Sequence, residues 1–112
     1  MESISTDLDY LSSVFKVLSD PTRLKLFSML LNGVHCNCEL GSLTGLSNNL
    51  ISHHMHVLIN AELIHSRRKP DDARWILYSV DHEKLGQLQQ MLAVFINPEI
   101  PSEREPVCPP CK

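Results

Sequence analysis

Residues 36–64 read CNCELGSLTGLSNNLISHHMHVLINAELI, and this stretch decides the predicted fold. Cys36 and Cys38 form a pair of thiols at the start of a short predicted helix. A second helix follows after a tight break at Gly45–Ser47 and runs to about Asn60. Its exposed side carries asparagine, serine and histidine side chains. The stretch therefore joins a thiol pair directly to two short, closely spaced helices.

Apolar residues at helical spacing predict three further helices outside this stretch. Asp20 and Pro21 form a start signal for one of them, because aspartate caps helices and proline suits the first helical position. In the same way, Ser47 is suited to cap the helix after the break. The predicted helices cover residues 7–18, 21 to about 32, 38–45, 48–60 and 82–96. Ile51, Met55 and Leu58 are expected to face inward. The other apolar residues at helical spacing are Leu8, Leu11, Phe15, Leu18, Leu24, Phe27, Leu31, Leu85, Leu88, Leu92 and Phe95.

Two strands are predicted between the fourth and fifth helices, over residues 63–69 and 74–80, with a turn at residues 70–73. Ile76, Tyr78 and Val80 alternate toward one face of the second strand. The predicted fold class is mainly α with a small β-hairpin, in the order α-α-α-α-β-β-α: a winged helix-turn-helix. We expect one domain over residues 1–96 and a tail over residues 97–112, which holds five of the seven prolines.

Length and composition exclude several classes of protein. With 112 residues and 43% hydrophobic residues, the chain suits one modest globular domain. The first residues, MESISTDLDYL, lack the basic and apolar regions of a signal peptide, and no apolar run reaches membrane-spanning length. We therefore expect a cytoplasmic protein without a membrane partner. Four cysteines in that compartment indicate metal or redox chemistry before structural disulfides. A net charge of −3 argues against indiscriminate binding of polyanions.

Two groups of side chains suit contact with double-stranded DNA. The second helix of a helix-turn-helix enters the major groove, where asparagine and serine can bond to base edges. The hairpin would follow the neighbouring phosphates or enter the minor groove. Without nucleic acid, these groups would be a polar helix face and a solvated charged turn. The candidate DNA-binding residues are Asn48, Asn49, Ser52 and His53 on the helix, and Arg67, Arg68, Lys69 and Arg74 on the hairpin.

Four segments together resemble the ArsR/SmtB family of metal-responsive repressors, over nearly all of residues 8–96. They are LSDPTRLKLFSML (18–30), CNCEL (36–40), LISHHMHVL (50–58) and WILYSV (75–80). The resemblance implies a homodimeric winged-helix repressor that an effector releases from DNA. CNCEL resembles the thiol motif of the arsenic and cadmium/lead branch, which implies that Cys36 and Cys38 are effector ligands. The arsenic type has a further cysteine where this chain has Gly41.

The other two cysteines, Cys108 and Cys111, lie in the tail sequence VCPPCK, with a spacing also seen in zinc sites. Three thiols would suit As(III) or Sb(III), which we favour as effectors, and four would suit Cd(II) or Zn(II); Pb(II) is also thiophilic. Cys36 and Cys38 would lie roughly 200° apart on a regular helix, so we expect an ion that joins them to distort the helix start. Without an effector, the first pair would be small buried residues and the second an unstructured end.

Two alternatives stay open. The same cysteines could form disulfides under oxidant or reactive sulfur, which makes a repressor with a redox trigger. In a different class, the CPPC tail would serve a small metal-transfer or redox protein. No catalytic constellation is recognisable, so we do not expect an enzyme.

Dimerisation is also expected, because the first and last helices carry more apolar surface than a small monomer covers. Tyr10, Val14, Met91 and Phe95 belong to this surface. A twofold dimer predicts a palindromic operator.

Overall fold

The computed structural model describes residues 2–99 and 105–109, with side chains from residue 6 onward. Its elements are α1 (Glu2–Leu18), α2 (Pro21–Leu31), β1 (His35–Cys36), α3 (Asn37–Thr44), α4 (Asn48–Asn60), β2 (Ile64–Lys69), β3 (Asp72–Val80) and α5 (His82–Phe95). The predicted class is confirmed: the chain is mainly α, with a helix-turn-helix formed by α3 and α4. The antiparallel hairpin of β2 and β3 is the wing. Within the described residues, no helix is both long and apolar enough to cross a membrane.

Helix ends form where the sequence supplies capping groups. The carboxylate of Asp20 accepts a hydrogen bond from the backbone N–H of Arg23 at 3.0 Å, and Pro21 opens α2. The hydroxyl of Ser47 likewise accepts from the N–H of Leu50 at 3.2 Å and caps α4. Gly45 ends α3 with a φ of 75°, in the left-handed region that favours glycine. The predicted start signals and the break between α3 and α4 are therefore confirmed.

One hydrophobic core joins the helices to the sheet. Ile51, Met55 and Leu58 of α4 are completely buried, as predicted. Leu24 and Leu31, two of the apolar residues that predicted α2 by their spacing, are 48% and 51% exposed. Helix α2 packs against α1, α4 and β3, and the residues that meet them lie on a neighbouring stripe of its surface. The buried core comprises Leu11, Val14, Leu26, Phe27, Leu30, Leu40, Ile51, Met55, Leu58, Leu63, Ile64, Tyr78, Val80 and Leu88.

The outer helices leave an apolar face uncovered within the single chain. Phe15 of α1 and Val94 and Phe95 of α5 are 46%, 76% and 54% exposed, and Leu8 is 45% exposed. Val14 was expected on this surface, but it is only 1% exposed because it lies in the monomer core. Helix α1 also begins earlier than predicted, at Glu2. The apolar face is therefore the outer side of α1 and α5, without Val14.

The sheet has a third strand that the sequence did not predict. Strand β1 pairs with β3 in antiparallel register, with Cys36 opposite Leu77, and the sheet order is β1-β3-β2. Strand β3 begins at Asp72, so the turn of the wing is shorter than expected. Tyr78 and Val80 are buried and Ile76 packs against the core, which confirms the predicted inner face. The added strand matters because it carries the first thiol into the sheet.

Candidate thiol site and nucleic-acid interface

Cys36 is the N-cap of α3. Its Sγ accepts a hydrogen bond from the backbone N–H of Glu39 at 3.3 Å, and Glu39 Oε1 accepts one from the Cys36 N–H at 3.1 Å. This reciprocal pair is a capping box with a thiol in the usual place of a hydroxyl. The N–H donated by Cys36 holds the pKa of the Glu39 carboxyl below its ordinary value. The thiol is therefore part of the structure that starts the helix.

The angular separation expected for the two cysteines does not apply, because only Cys38 lies in the helix. The backbone of Cys36 is extended, with φ −87° and ψ 160°. Both cysteines border one pocket of about 240 Å³. The pocket is completed by Glu39 of α3, Lys69 of β2 and two residues of β3, Trp75 and Leu77. The two cysteines thus line one pocket that α3 shares with the wing.

The far wall of this pocket belongs to the wing, which sequence reasoning did not connect with the thiols. Trp75 and Leu77 alternate with the inward-facing Ile76 along β3. The period-two pattern of the strand was the available signal. Asn37, between the two cysteines, was also missed: its side chain bonds to the backbone of β3. A ligand at the thiols would therefore touch both α3 and the wing.

Cys36 and Cys38 are free thiols, half-buried and exposed respectively. Across residues 2–99 and 105–109, no group of three or more His, Cys, Asp or Glu residues is arranged to hold a metal ion. Cys108 is a free, exposed cysteine in residues 105–109, which form neither helix nor strand. Cys111, the other predicted tail ligand, lies outside the described residues. Two of the four predicted thiol ligands thus meet at one pocket.

The predicted base-reading residues lie on the exposed N-terminal half of α4. Asn48, Asn49, Ser52 and His53 are all exposed, while Ile51 and Met55 on the opposite side are buried. His54 differs from its neighbours because it is half-buried and burial lowers its pKa. The exposed face of α4 thus presents the four candidate side chains to solvent.

The predicted basic cluster lies along the wing, and Arg67, Arg68, Lys69 and Arg74 are all exposed. Two of these arginines also brace the turn. Arg68 Nη1 donates to the carbonyl of Ala73 at 2.6 Å. Arg74 Nη2 lies 2.6 Å from Asp72 Oδ2, and this contact lowers the pKa of Asp72 and raises that of Arg74. Arg67 and Lys69 therefore extend a positive surface from a braced hairpin.

Comparison with known proteins places this arrangement in a family. Residues 20–66 match the family described as "Bacterial regulatory protein, arsR family". The chain is 36% identical over 84 residues to the arsenical resistance operon repressor of Staphylococcus xylosus, which covers 75% of this chain and 78% of that protein. It is 35% identical over 78 residues to a cadmium resistance regulatory protein, a CadC homolog of Staphylococcus aureus, with coverage of 69% and 62%.

A solved structure of a related regulator supports the same family. The crystal structure of a possible transcriptional regulator for arsenical resistance matches with a TM-score of 0.61 and 31% identity, over 72% of this chain and 81% of that one. These relatives are DNA-binding regulators, which favours that class over an enzyme or a metal-transfer protein. The chain belongs to the ArsR family of bacterial regulatory proteins and is a winged helix-turn-helix transcriptional repressor.

Proposed function

We propose that a thiophilic metal(loid) releases this repressor from its operator by binding to the thiolates of Cys36 and Cys38. The observation that supports this most directly is their common pocket, whose far wall is the wing. As(III) and Sb(III) are the favoured effectors, and Cd(II), Pb(II) and Zn(II) are other ions that thiolates bind. The similarity to an arsenical resistance repressor and to a cadmium resistance regulator supports the same choice.

The route from effector to DNA passes through the start of α3. Cys36 Sγ holds the Glu39 N–H, and its backbone pairs with Leu77 of the wing. A bound ion would compete for the sulfur lone pairs and pull the N-cap toward Cys38. Helix α3 packs against both α4 and β3, so this movement would alter the angle between the recognition helix and the wing. A coupling of ~1–3 kcal/mol would be sufficient, and DNA would weaken effector binding by the same amount.

DNA would meet the exposed face of α4 and the wing together. Base edges in the major groove would be read by Asn48, Asn49, Ser52 and His53. The basic wing would approach the phosphate backbone, where Arg67 and Lys69 are exposed. A winged helix-turn-helix dimer would place two such surfaces on a palindromic double-stranded operator.

The apolar face of α1 and α5 supports the dimer. A groove of about 300 Å³ runs between these helices and is lined by Leu8, Leu11, Met91, Val94, Phe95 and Asp7. A second copy of the chain would cover this surface with the same surface of its own, as twofold symmetry requires. The domain over residues 1–96 would then carry both DNA binding and dimerisation.

The tail over residues 97–112 would supply further thiols. Cys108 is exposed, and Cys111 follows three residues later in the sequence. Their side chains could complete a three- or four-thiol site with Cys36 and Cys38, from the same protomer or its partner.

The test is fluorescence anisotropy of the reduced protein on the DNA upstream of its own gene, titrated with arsenite and Cd(II) in parallel. Release by either ion that is lost in Cys36→Ser and Cys38→Ser supports the proposal. Release that persists in both variants contradicts it. Release only by an oxidant, reversed by dithiothreitol, would indicate the redox trigger instead.

A further inference from the structure

The pocket that holds the two thiols also has an apolar wall. Trp75 and Leu77 of β3 line it opposite the cysteines. Leu77 is the register partner of Cys36 across the β1–β3 pair, so an apolar side chain adjoins the first thiol. The guanidinium of Arg74 lies 5.9 Å from the centre of the Trp75 ring. An ion without an organic group would make no apolar contact with Trp75 and Leu77.

The number of thiols at the pocket is two. Inorganic As(III) carries three exchangeable hydroxyls and is satisfied by three thiolates. Helix α3 supplies no further thiol, because Cys38 is its one cysteine and position 41 is a glycine. Among the described residues, no other His, Cys, Asp or Glu joins Cys36 and Cys38 in a metal-binding group. A trivalent arsenical that already carries one carbon substituent needs two thiolates and no more.

We infer that the pocket takes monosubstituted organic arsenicals, R–As(OH)₂, with arsenic on Cys36 and Cys38 and the organic group against Trp75 and Leu77. This rests on the proposed function, in which these cysteines are the effector ligands. A volume of about 240 Å³ is below the ~300 Å³ at which pockets for drug-sized ligands begin, so it suits a methyl or phenyl group. The organic group would separate the thiol loop from the wing.

The binding step is an exchange without oxidation or reduction. Two S–H bonds and two As–O bonds break, and two As–S bonds form. Each thiol proton leaves with one hydroxyl as water, so two water molecules are released and arsenic stays trivalent. Because Cys36 is extended and precedes the helix, the ~200° separation of two helical residues at this spacing does not apply to the pair.

The experiment compares phenylarsine oxide with arsenite on the full chain and on the Cys108→Ser/Cys111→Ser variant. Affinity is measured by the quenching of Trp75, the one tryptophan in the chain, and the adduct is weighed by native mass spectrometry. We expect phenylarsine oxide to bind one per protomer, with an affinity within about twofold in both proteins. Arsenite should lose about tenfold or more in the tail variant, because it loses its third thiol.

A second pair of variants tests the apolar wall through release from operator DNA. Trp75→Ala should weaken phenylarsine oxide by about fivefold relative to arsenite, while Trp75→Phe keeps the preference. Leu43→Ala is the control, because Leu43 is a 64% exposed apolar residue of α3 that does not line the pocket.

Equal losses of the two arsenicals in the tail variant would overturn the inference, as would an unchanged preference in Trp75→Ala. Those results leave the metal(loid) trigger intact if arsenite still releases DNA through Cys36 and Cys38. The proposed function itself fails when no arsenical and no Cd(II) releases the DNA.

Discussion

The side-chain Oδ1 of Asn37 accepts a hydrogen bond from the backbone N–H of Ile76 at 3.2 Å, across 39 residues of sequence. Asn37 is the first residue of α3 and stands between the two cysteines. Ile76 lies in the middle of β3, between the two pocket residues Trp75 and Leu77. The bond therefore joins the thiol loop to the wing strand at the point where an effector would bind. It is a direct physical link between the proposed sensor and the proposed DNA contact.

Replacing Asn37 by alanine should uncouple the two sites. A hydrogen bond of this kind contributes about 1 kcal/mol, so the effector-induced loss of DNA affinity should shrink by about fivefold. Effector affinity in the absence of DNA should change little, because both thiols remain. Isothermal titration with arsenite and anisotropy on operator DNA would measure the two quantities separately.

Asn32→Ala is the matched control for this variant. Asn32 is exposed, and its amide donates to the Ser28 carbonyl of its own helix at 3.3 Å, away from the wing. The effector-induced loss of DNA affinity in Asn32→Ala should equal that of the unmodified protein. An Asn37→Ala protein with full coupling would show that this hydrogen bond does not carry the signal.

Cys36→Ser should separate the structural and sensing roles of this side chain. Serine is a preferred N-cap residue, and its hydroxyl can accept from the Glu39 N–H that Cys36 Sγ now holds. Thermal stability and DNA affinity should therefore be retained, while release by metal(loid) is lost. Cys36→Ala, which removes the cap, should cost about 1 kcal/mol in the free energy of unfolding as well. Similar unfolding midpoints for the two variants would contradict the capping role.

Ser52→Ala should reduce specific DNA binding by ~1–3 kcal/mol if the hydroxyl bonds to a base edge. Ser52 lies exposed in the N-terminal half of α4, one residue after the buried Ile51. His56→Ala is the comparison, because His56 is exposed one turn further along the helix. Anisotropy on the operator and on a scrambled duplex would give the specific component. Equal losses on both duplexes would assign Ser52 to the phosphate backbone instead.

The fold could be predicted from local sequence, but the wall of the thiol pocket could not. Asp20 and Ser47 cap helices through their own side chains, so a few neighbouring residues are enough to predict where each helix begins. Strand β1 consists of only His35 and Cys36, too short for any periodicity, and it exists because β3 pairs with it. The thiol pair was visible in sequence, whereas Trp75 reaches it only through that pairing.

Packing between helices decides which apolar residues of a predicted helix become buried. Leu24 and Leu31 fit a helical stripe as well as Leu26 and Leu30 do, and only the placement of neighbouring elements decides which stripe is buried. Val14 was likewise expected on the dimer surface, but in the structure it packs into the core of the single chain.

Arg67→Ala should lower the salt dependence of DNA binding. If the exposed Arg67 guanidinium contacts one phosphate, the slope of log K against log salt should fall by about 1. Arg74→Ala is expected to act differently, because its guanidinium already pairs with Asp72 at 2.6 Å and braces the turn. Its loss should affect the wing's order more than the slope. An unchanged slope in Arg67→Ala would place this side chain off the DNA.

Stability in acid should depend on Asp20. The N–H donated by Arg23 holds the pKa of Asp20 below its ordinary value of 3.8, so the folded state favours the carboxylate. The stabilisation is therefore fully present above the unfolded pKa and is lost as pH falls through the folded pKa. Asp20→Asn keeps a capping oxygen but cannot titrate, so its unfolding midpoint should fall less steeply than that of the unmodified protein below about pH 4. The same titration on Asp71→Asn, at an exposed position in the wing turn, controls for the loss of one negative charge. Parallel curves for Asp20→Asn and the unmodified protein would show that the cap makes no pH-dependent contribution.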